Sequence, residues 1–210
     1  MNNVSFKSTI NYVNNFAYRR RVNGIYFNCS NEPFGDCYVK NGFIWTDKVR
    51  TCTGIVLADT RKKEALGIHW LDSKEHYRYL EAAVNQIFQK FKTPNRCFII
   101  GGKELGESEF SIPSLDKFIK TMSERVQSVT VFGKHLNQYD ESNIHYNVFE
   151  DVLTLSTSNA LNFESSVFDI ETLKKTFGII KIAKGDKLYI NGKLIMKSQI
   201  KKLTNKAFII

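Results

Sequence analysis

Two residues in the middle of the chain have the side chains of a cysteine-dependent catalytic site. Cys52 and His69 flank a segment whose hydrophobic pattern predicts a β-hairpin: residues 53–58 are apolar and rich in β-formers, 59–64 are polar, and 65–70 are apolar again. An imidazole can take the proton of a neighbouring thiol, and the resulting thiolate attacks a carbonyl carbon. If the two side chains meet, the sequence indicates nucleophilic chemistry on a carbonyl or amide.

The register of this hairpin decides how Cys52 and His69 face each other. With Thr60 and Arg61 at the centre of the turn, paired residue numbers sum to 121, and Cys52 lies directly opposite His69. With a centre one residue later the sum is 123 and the pair is diagonal. Both registers keep the two side chains on one face of the sheet, because only a one-residue slip moves a side chain across.

The two faces of the hairpin differ in the size of their side chains. The bulky face is expected to be core and carries Thr53, Ile55, Leu57, Leu66, Ile68 and Trp70. The other face carries Cys52 and His69 beside Gly54 and Gly67, which predicts open space next to the pair. The alternative is that Cys52 is a small buried hydrophobe and His69 a core histidine with satisfied hydrogen bonds, since both residue types are often buried without function.

Further residues make this stretch similar to a known family. Thr46 lies six residues before Cys52, Thr51 immediately before it and His69 seventeen after it. These offsets resemble those of the chemoreceptor glutamine deamidases of bacterial chemotaxis, the CheD family. Outside this stretch, three segments resemble the family's first strands, its strand ending in a double glycine and its closing hairpin: residues 36–45, 97–102 and 145–155.

The resemblance implies an α+β fold, a CheD-like layered β-sandwich with flanking helices, over residues 36–158. It implies that Cys52 is the nucleophile, that His69 activates it, and that Thr46 orients His69 or contacts the substrate. It also suggests a set of substrate-binding residues around the site: Thr51, Gly54, Gly67, Gly101 and Gly102. The implied reaction converts a Gln side chain of a protein substrate to Glu through a thioester, without a metal or a cofactor.

Departures from the family pattern leave the substrate open. Arg50 and Thr51 stand where the family usually has Gly-Ser, and Asp72 follows Leu71 where the family usually has a proline. The same Cys–His plan occurs in toxin deamidases of the cytotoxic necrotizing factor and Burkholderia lethal factor type, so a bacterial effector or toxin fits the pattern. The alternatives are a transglutaminase or cysteine protease with the same site, and a non-catalytic binding module with the same fold.

The double glycine at residues 101–102 has two interpretations. Glycines at the end of a strand form tight turns, and they also let another backbone approach closely. The first interpretation is structural, whereas the second places a substrate backbone against the strand.

Composition narrows the classes of protein to consider. The chain has 210 residues, of which 42% are hydrophobic and 13% aromatic, which predicts a globular domain with an appendage. No apolar run approaches a membrane span, and the N-terminus lacks the pattern of a secretory signal peptide. The four cysteines are expected to be reduced and no Cys/His cluster has metal spacing, so neither disulfides nor a metal is expected. We expect a protein made in a cytoplasm, and any export to a host cell would need a route without a classical signal peptide.

The net charge of +9 is concentrated in the terminal parts of the chain. Residues 161–210 hold ten lysines and four acidic residues, whereas residues 38–160 have a net charge of only +1. Such charge favours an acidic protein surface as partner, or it is a solvated lysine-rich surface. A nucleic-acid partner is not expected, because the lysines lack interleaved aromatic residues for base stacking.

Periodicity predicts the elements around the site. A helix beginning at Asp72 and a second helix capped by Ser114 each carry an apolar stripe at helical spacing. Residues 1–35 are expected to be an N-terminal extension. Residues 159–210 are expected to be a small C-terminal α/β extension, with a helix over 169–178, a strand over 179–183 and a hairpin turning at Asn191-Gly192. This extension either completes the sheet or holds the substrate protein.

Overall fold

A computed structural model of the chain describes residues 7–13, 24–27, 34–49, 52–70, 80–103, 113–134, 141–158, 173, 176–196 and 198–199. Thr51 and the helix start at Asp72 lie outside the described residues. Within these ranges the chain is mostly β-sheet, with two mixed sheets and two helices. The expected α+β class is therefore confirmed.

The strands form two sheets. Sheet A contains β1 (Thr9–Tyr12), β2 (Ile25–Tyr26), β4 (Phe43–Val49), β9 (Glu141–Asn147), β10 (Val152–Ser158), β12 (Lys187–Ile190) and β13 (Lys193–Ile195), in the spatial order β13-β12-β1-β10-β9-β4-β2. Sheet B contains β3 (Phe34–Lys40), β5 (Thr53–Asp59), β6 (Glu64–Trp70), β7 (Arg96–Lys103), β8 (Ser128–Lys134) and β11 (Phe177–Lys181), in the order β11-β8-β7-β5-β6-β3.

Two helices cover the outer face of sheet B: α1 (Leu80–Lys90) and α2 (Pro113–Arg125). Their predicted stripes are confirmed where side chains are described, since α1 buries Val84 and Ile87 and α2 buries Ile119 and Met122. The side chains of three further apolar residues of these helices lie outside the described residues: Leu80, Leu115 and Phe118.

Side-chain alternation along β5 gives sheet B two buried faces. Ile55 and Leu57 pack towards the helices, whereas Val56 and Ala58 pack towards sheet A. The face with the bulky residues is core, as expected. The face with the small residues is also core, because larger side chains of sheet A pack against it.

The predicted hairpins are confirmed, and one predicted helix end is wrong. Strands β9 and β10 pair antiparallel around the turn at residues 148–151, and β12 and β13 pair around Asn191 and Gly192, which both have positive φ. Gly178 does not end a helix, since it lies within β11. The neighbouring Phe177 and Ile180 are buried between the sheets, and pairing with β8 stabilises the extended backbone there.

Strands from both expected extensions are built into the two sheets. Strand β1 lies between β10 and β12 and pairs parallel with each of them. Strand β11 pairs with β8 in sheet B, and Phe27 is buried against Gly67 of β6. The expected boundaries at residues 36 and 158 therefore do not separate units of the sheets, and the C-terminal strands complete both of them.

A buried charge cluster links the two sheets at one end. Arg96, the first residue of β7, is 1% exposed. Its Nε donates to the Asp151 carboxylate at 3.2 Å, and its Nη1 donates to the Asp186 carboxylate at 2.7 Å. Asp186 also accepts the backbone N–H of Ser8 at 3.1 Å, and Asp151 accepts the hydroxyl of Tyr146 at 2.8 Å. The cluster thus joins the start of β7 to three parts of sheet A that are far apart in sequence.

Burial dominates the electrostatics of this cluster. Burial raises the pKa of Asp186, although the Arg96 guanidinium works in the opposite direction. Burial and the Asp151 carboxylate raise the pKa of the Tyr146 hydroxyl well above its usual value. The buried guanidinium of Arg96 is the counter-charge of both Asp151 and Asp186.

Replacing Arg96 by Met should destabilise the fold by about 3–5 kcal/mol, because the buried carboxylate of Asp186 and the partly buried one of Asp151 would lose their counter-charge. The measurement is the free energy of unfolding from urea titration at neutral pH. The matched control is Arg61→Met, since the Arg61 side chain is 68% exposed beside Asp59 and should contribute less than about 1 kcal/mol. Equal effects of the two substitutions would show that the buried cluster does not stabilise the fold.

Candidate active site

The chain crosses between the sheets at the predicted nucleophile. Strand β4 belongs to sheet A and β5 to sheet B, and Cys52 lies on the connection immediately before β5. Cys52 is partly exposed, whereas every residue of β5 is buried. The thiol-bearing residue therefore sits at the end of the sandwich, next to a strand that is itself fixed on both faces.

A β-bulge in β4 lets the side chains of two of its residues face sheet B. Thr46 pairs with Ile144 and Val49 pairs with Ser142, so that one extra residue is inserted in β4 relative to β9. Lys48 in the bulge has a φ of 57° and is exposed. Thr46 and Val49 are both at most 1% exposed and face inwards.

Thr46 meets His69 across the space between the sheets. The Thr46 Oγ1 atom lies 3.0 Å from the His69 Nδ1 atom, and both residues are buried. The bond joins β4 of sheet A to β6 of sheet B. A hydrogen bond at Nδ1 fixes the rotation of the imidazole ring and leaves Nε2 as the atom that can exchange a proton with another group.

The hairpin register places Cys52 and His69 diagonally. His69 pairs with Gly54, and all pairs between β5 and β6 follow the register in which residue numbers sum to 123. This is the register of the later of the two predicted turn centres. Because Cys52 precedes Gly54 by two residues, it lies diagonal to His69. Cys52 and His69 therefore lie at the same end of the β5–β6 hairpin.

The expectation of open space over Gly54 and Gly67 is wrong. A Cβ atom on Gly54 would lie 2.2 Å from Cδ1 of Ile144, and one on Gly67 would lie 2.5 Å from Cδ1 of Phe27. These glycines accept large side chains from across the sandwich, which is why the face with small residues is buried. Gly54 and Gly67 therefore serve packing between the sheets, and the space above them is not available to a substrate.

Gly101 also has a neighbour from the same chain. It pairs with Thr53 and has a φ of 95°. A Cβ atom there would lie 2.6 Å from the carbonyl oxygen of Cys52 and 2.7 Å from Cγ1 of Val49. The close backbone approach that the glycine permits is thus that of Cys52. Gly102 follows in β7, next to the register shift between Gly101 and Lys103.

The cysteines with described positions differ in their surroundings. Cys97 is fully buried in β7, and burial strongly raises the pKa of its thiol. Cys37 is partly exposed in β3 and pairs with Gly67. The three described cysteines, Cys37, Cys52 and Cys97, form no disulfide.

The other described histidine, His145, is buried in sheet A. His145 lies in β9, is 6% exposed, and stacks on Phe43 with ring centroids 5.3 Å apart. Burial lowers the pKa of its imidazole.

Comparisons with known proteins do not assign the chain to a family. A scan against models of protein families gives no match, and a search of curated proteins also gives none. The similarity to the CheD family therefore remains a prediction from the residues. Among the described residues, no group of three or more His, Cys, Asp or Glu side chains could hold a metal ion, and neither helix is long and apolar enough to cross a membrane.

We expect iodoacetamide to modify Cys52 faster than Cys37 and Cys97. Cys52 is partly exposed at the end of the hairpin that carries His69, whereas Cys97 is buried with a raised thiol pKa. Peptide mapping after timed alkylation gives the rate constant of each cysteine. Cys37 is the comparison, because it is partly exposed like Cys52 and its strand partner Gly67 lies two residues from His69 in β6. A faster reaction at Cys37 would contradict the assignment of Cys52 as the reactive thiol.

Proposed function

We propose that the protein is a cysteine-dependent protein glutamine deamidase with Cys52 as nucleophile, His69 as general base and acid, and Thr46 as the residue that orients His69. The observation that carries the proposal is the buried bond of 3.0 Å between Thr46 Oγ1 and His69 Nδ1. Thr46 and His69 are 23 residues apart in sequence and belong to different sheets. Their contact, together with the position of Cys52 at the end of the same hairpin, is what the resemblance to the CheD family implies.

The reaction follows from the chemistry of a thiol beside an imidazole. The His69 ring takes the proton of the Cys52 thiol, and the thiolate forms a bond to the side-chain amide carbon of a substrate Gln. The tetrahedral intermediate collapses as the ring gives its proton to the leaving nitrogen, which departs as ammonia. Water, deprotonated by the same ring, then attacks the thioester and releases Glu, and the thiol recovers its proton.

Thr46 suits this role because a hydroxyl can serve both charge states of the ring. When Nδ1 carries a proton, Thr46 Oγ1 accepts a hydrogen bond from the Nδ1–H group. This hydrogen bond is retained when the ring becomes an imidazolium. A neutral hydroxyl gives less electrostatic stabilisation of that cation than a carboxylate would give. The contribution of Thr46 is therefore to the orientation of the ring more than to its charge.

The proposal extends to the fold type and to the partner. Two packed sheets, with helices on the outer face of the sheet that carries His69, support a CheD-like architecture. The partly exposed position of Cys52 at the end of the sandwich suits a side chain that reaches in from another protein. The lysine-rich terminal parts favour a substrate with an acidic surface.

The direct test is a search for the modified protein. Lysates of candidate cells are incubated with the protein and analysed by mass spectrometry for Gln sites that gain about one dalton, the change from amide to acid. Cys52→Ala should abolish the gain, and the matched control Cys37→Ala should leave it intact. Gln sites that instead become joined to amines would identify a transglutaminase, and new chain ends would identify a protease.

A second test concerns Thr46. Thr46→Val keeps the shape of the side chain but removes the hydroxyl, and it should lower kcat/KM by about tenfold to a hundredfold because His69 loses its orienting partner. Thr46→Ser keeps the hydroxyl and should retain most of the activity. If Thr46→Val is as active as the unchanged protein, Thr46 does not act through His69.

A further inference from the structure

Gly101 is held in an unusual position for a residue inside a strand. It belongs to β7, pairs with Thr53 of β5 and has a φ of 95°, a region that favours glycine. In the pairing of β7 with β8, the register shifts between Gly101 and Lys103. The end of β7 is therefore bent where it passes the start of β5.

The neighbours of Gly101 have little room to yield. A Cβ atom at this position would lie 2.6 Å from the Cys52 carbonyl oxygen and 2.7 Å from Cγ1 of Val49. The Cys52 oxygen belongs to the backbone, so it cannot retreat without moving the whole residue. Val49 is fully buried between the sheets, which leaves it no free volume.

Other glycines near the site differ in this respect. The space over Gly54 is filled by the terminal methyl of Ile144, and that over Gly67 by the ring of Phe27. Those neighbours are side-chain atoms, and a rotamer change could relieve part of a clash. At Gly101 the first atom met is a backbone atom of the nucleophile.

We propose that Gly101 is a positioning residue for the nucleophile: its missing side chain lets the Cys52 backbone rest against the end of β7, which sets the distance between thiol and imidazole. This inference rests on the proposed function in taking Cys52 as the nucleophile. Gly101 does not touch the substrate in this role, because Cys52 and Val49 occupy the space in front of it. Displacing Cys52 by about 1 Å would change the separation between thiol and imidazole and lower the reactivity of the thiol by roughly ten- to hundredfold.

The test compares Gly101→Ala with Gly192→Ala. Gly192 also has a positive φ, of 79°, but a Cβ atom there would meet nothing within 4 Å. Both variants therefore carry the backbone strain of a positive φ, and only Gly101→Ala displaces Cys52. The readouts are the melting temperature and the rate constant of Cys52 alkylation by iodoacetamide across pH.

We expect both variants to melt at lower temperature, and only Gly101→Ala to slow Cys52 alkylation at neutral pH and to move the midpoint of its pH profile. An alkylation rate and midpoint equal to those of the unchanged protein in folded Gly101→Ala would overturn the proposal. Alkylation needs no substrate, so the result stands even if no deamidated protein is found and the proposed function fails.

A second variant covers the case in which Gly101→Ala does not fold. Combining it with Val49→Ala removes one of the two contacts and leaves the contact with the Cys52 carbonyl oxygen. The double variant should fold and still show the slowed, shifted alkylation, whereas Val49→Ala alone should alkylate at the normal rate. A double variant with normal alkylation would overturn the proposal.

Discussion

The buried guanidinium of Arg96 is the interaction on which the joining of the two sheets most depends. It binds one carboxylate from the β9–β10 turn and one from the turn before β12, and the second carboxylate also holds the backbone of Ser8. Arg96 pairs with Ala58, whereas Ile100 pairs with Gly54, so the cluster and the candidate site lie four residues apart along β7. At about 3.3 Å per residue the separation is roughly 13 Å. One end of the sandwich thus holds the buried charge cluster, and the other end holds the candidate site.

The candidate site exists only when the sheets are packed together. Thr46 comes from sheet A and His69 from sheet B, and a sliding of one sheet over the other would separate them. The fit of Ile144 into Gly54 and of Phe27 into Gly67 resists such sliding. The two glycines that were expected to border open space therefore accept side chains from the other sheet, and this packing holds Thr46 and His69 opposite each other.

Local patterns in the sequence were enough to predict the hairpins, the helix stripes and the place of Cys52 and His69 at one end of a hairpin, whereas Thr46 was singled out only by the resemblance to a family. The β5–β6 hairpin follows from alternation and a polar turn, and Asn191-Gly192 specifies its own tight turn. The β4 bulge was not predictable, because the local sequence does not indicate that Val49 faces the same way as Thr46. The role of Phe27 was also hidden, since a single aromatic residue in a turn-rich segment does not reveal that it packs on Gly67. Such features depend on which strands meet, and the pairing of distant strands is not encoded locally.

The place of β1 in sheet A has a consequence for how the protein is made. This strand comes first in chain order, yet its neighbours on either side are β10 and β12, which come much later in the sequence. Both pairings are parallel and span most of the sequence, so a large loop must close before either can form. Strand β1 therefore has no sheet neighbours until β10 and β12 have been synthesised. The closure of sheet A thus depends on pairing between distant parts of the chain.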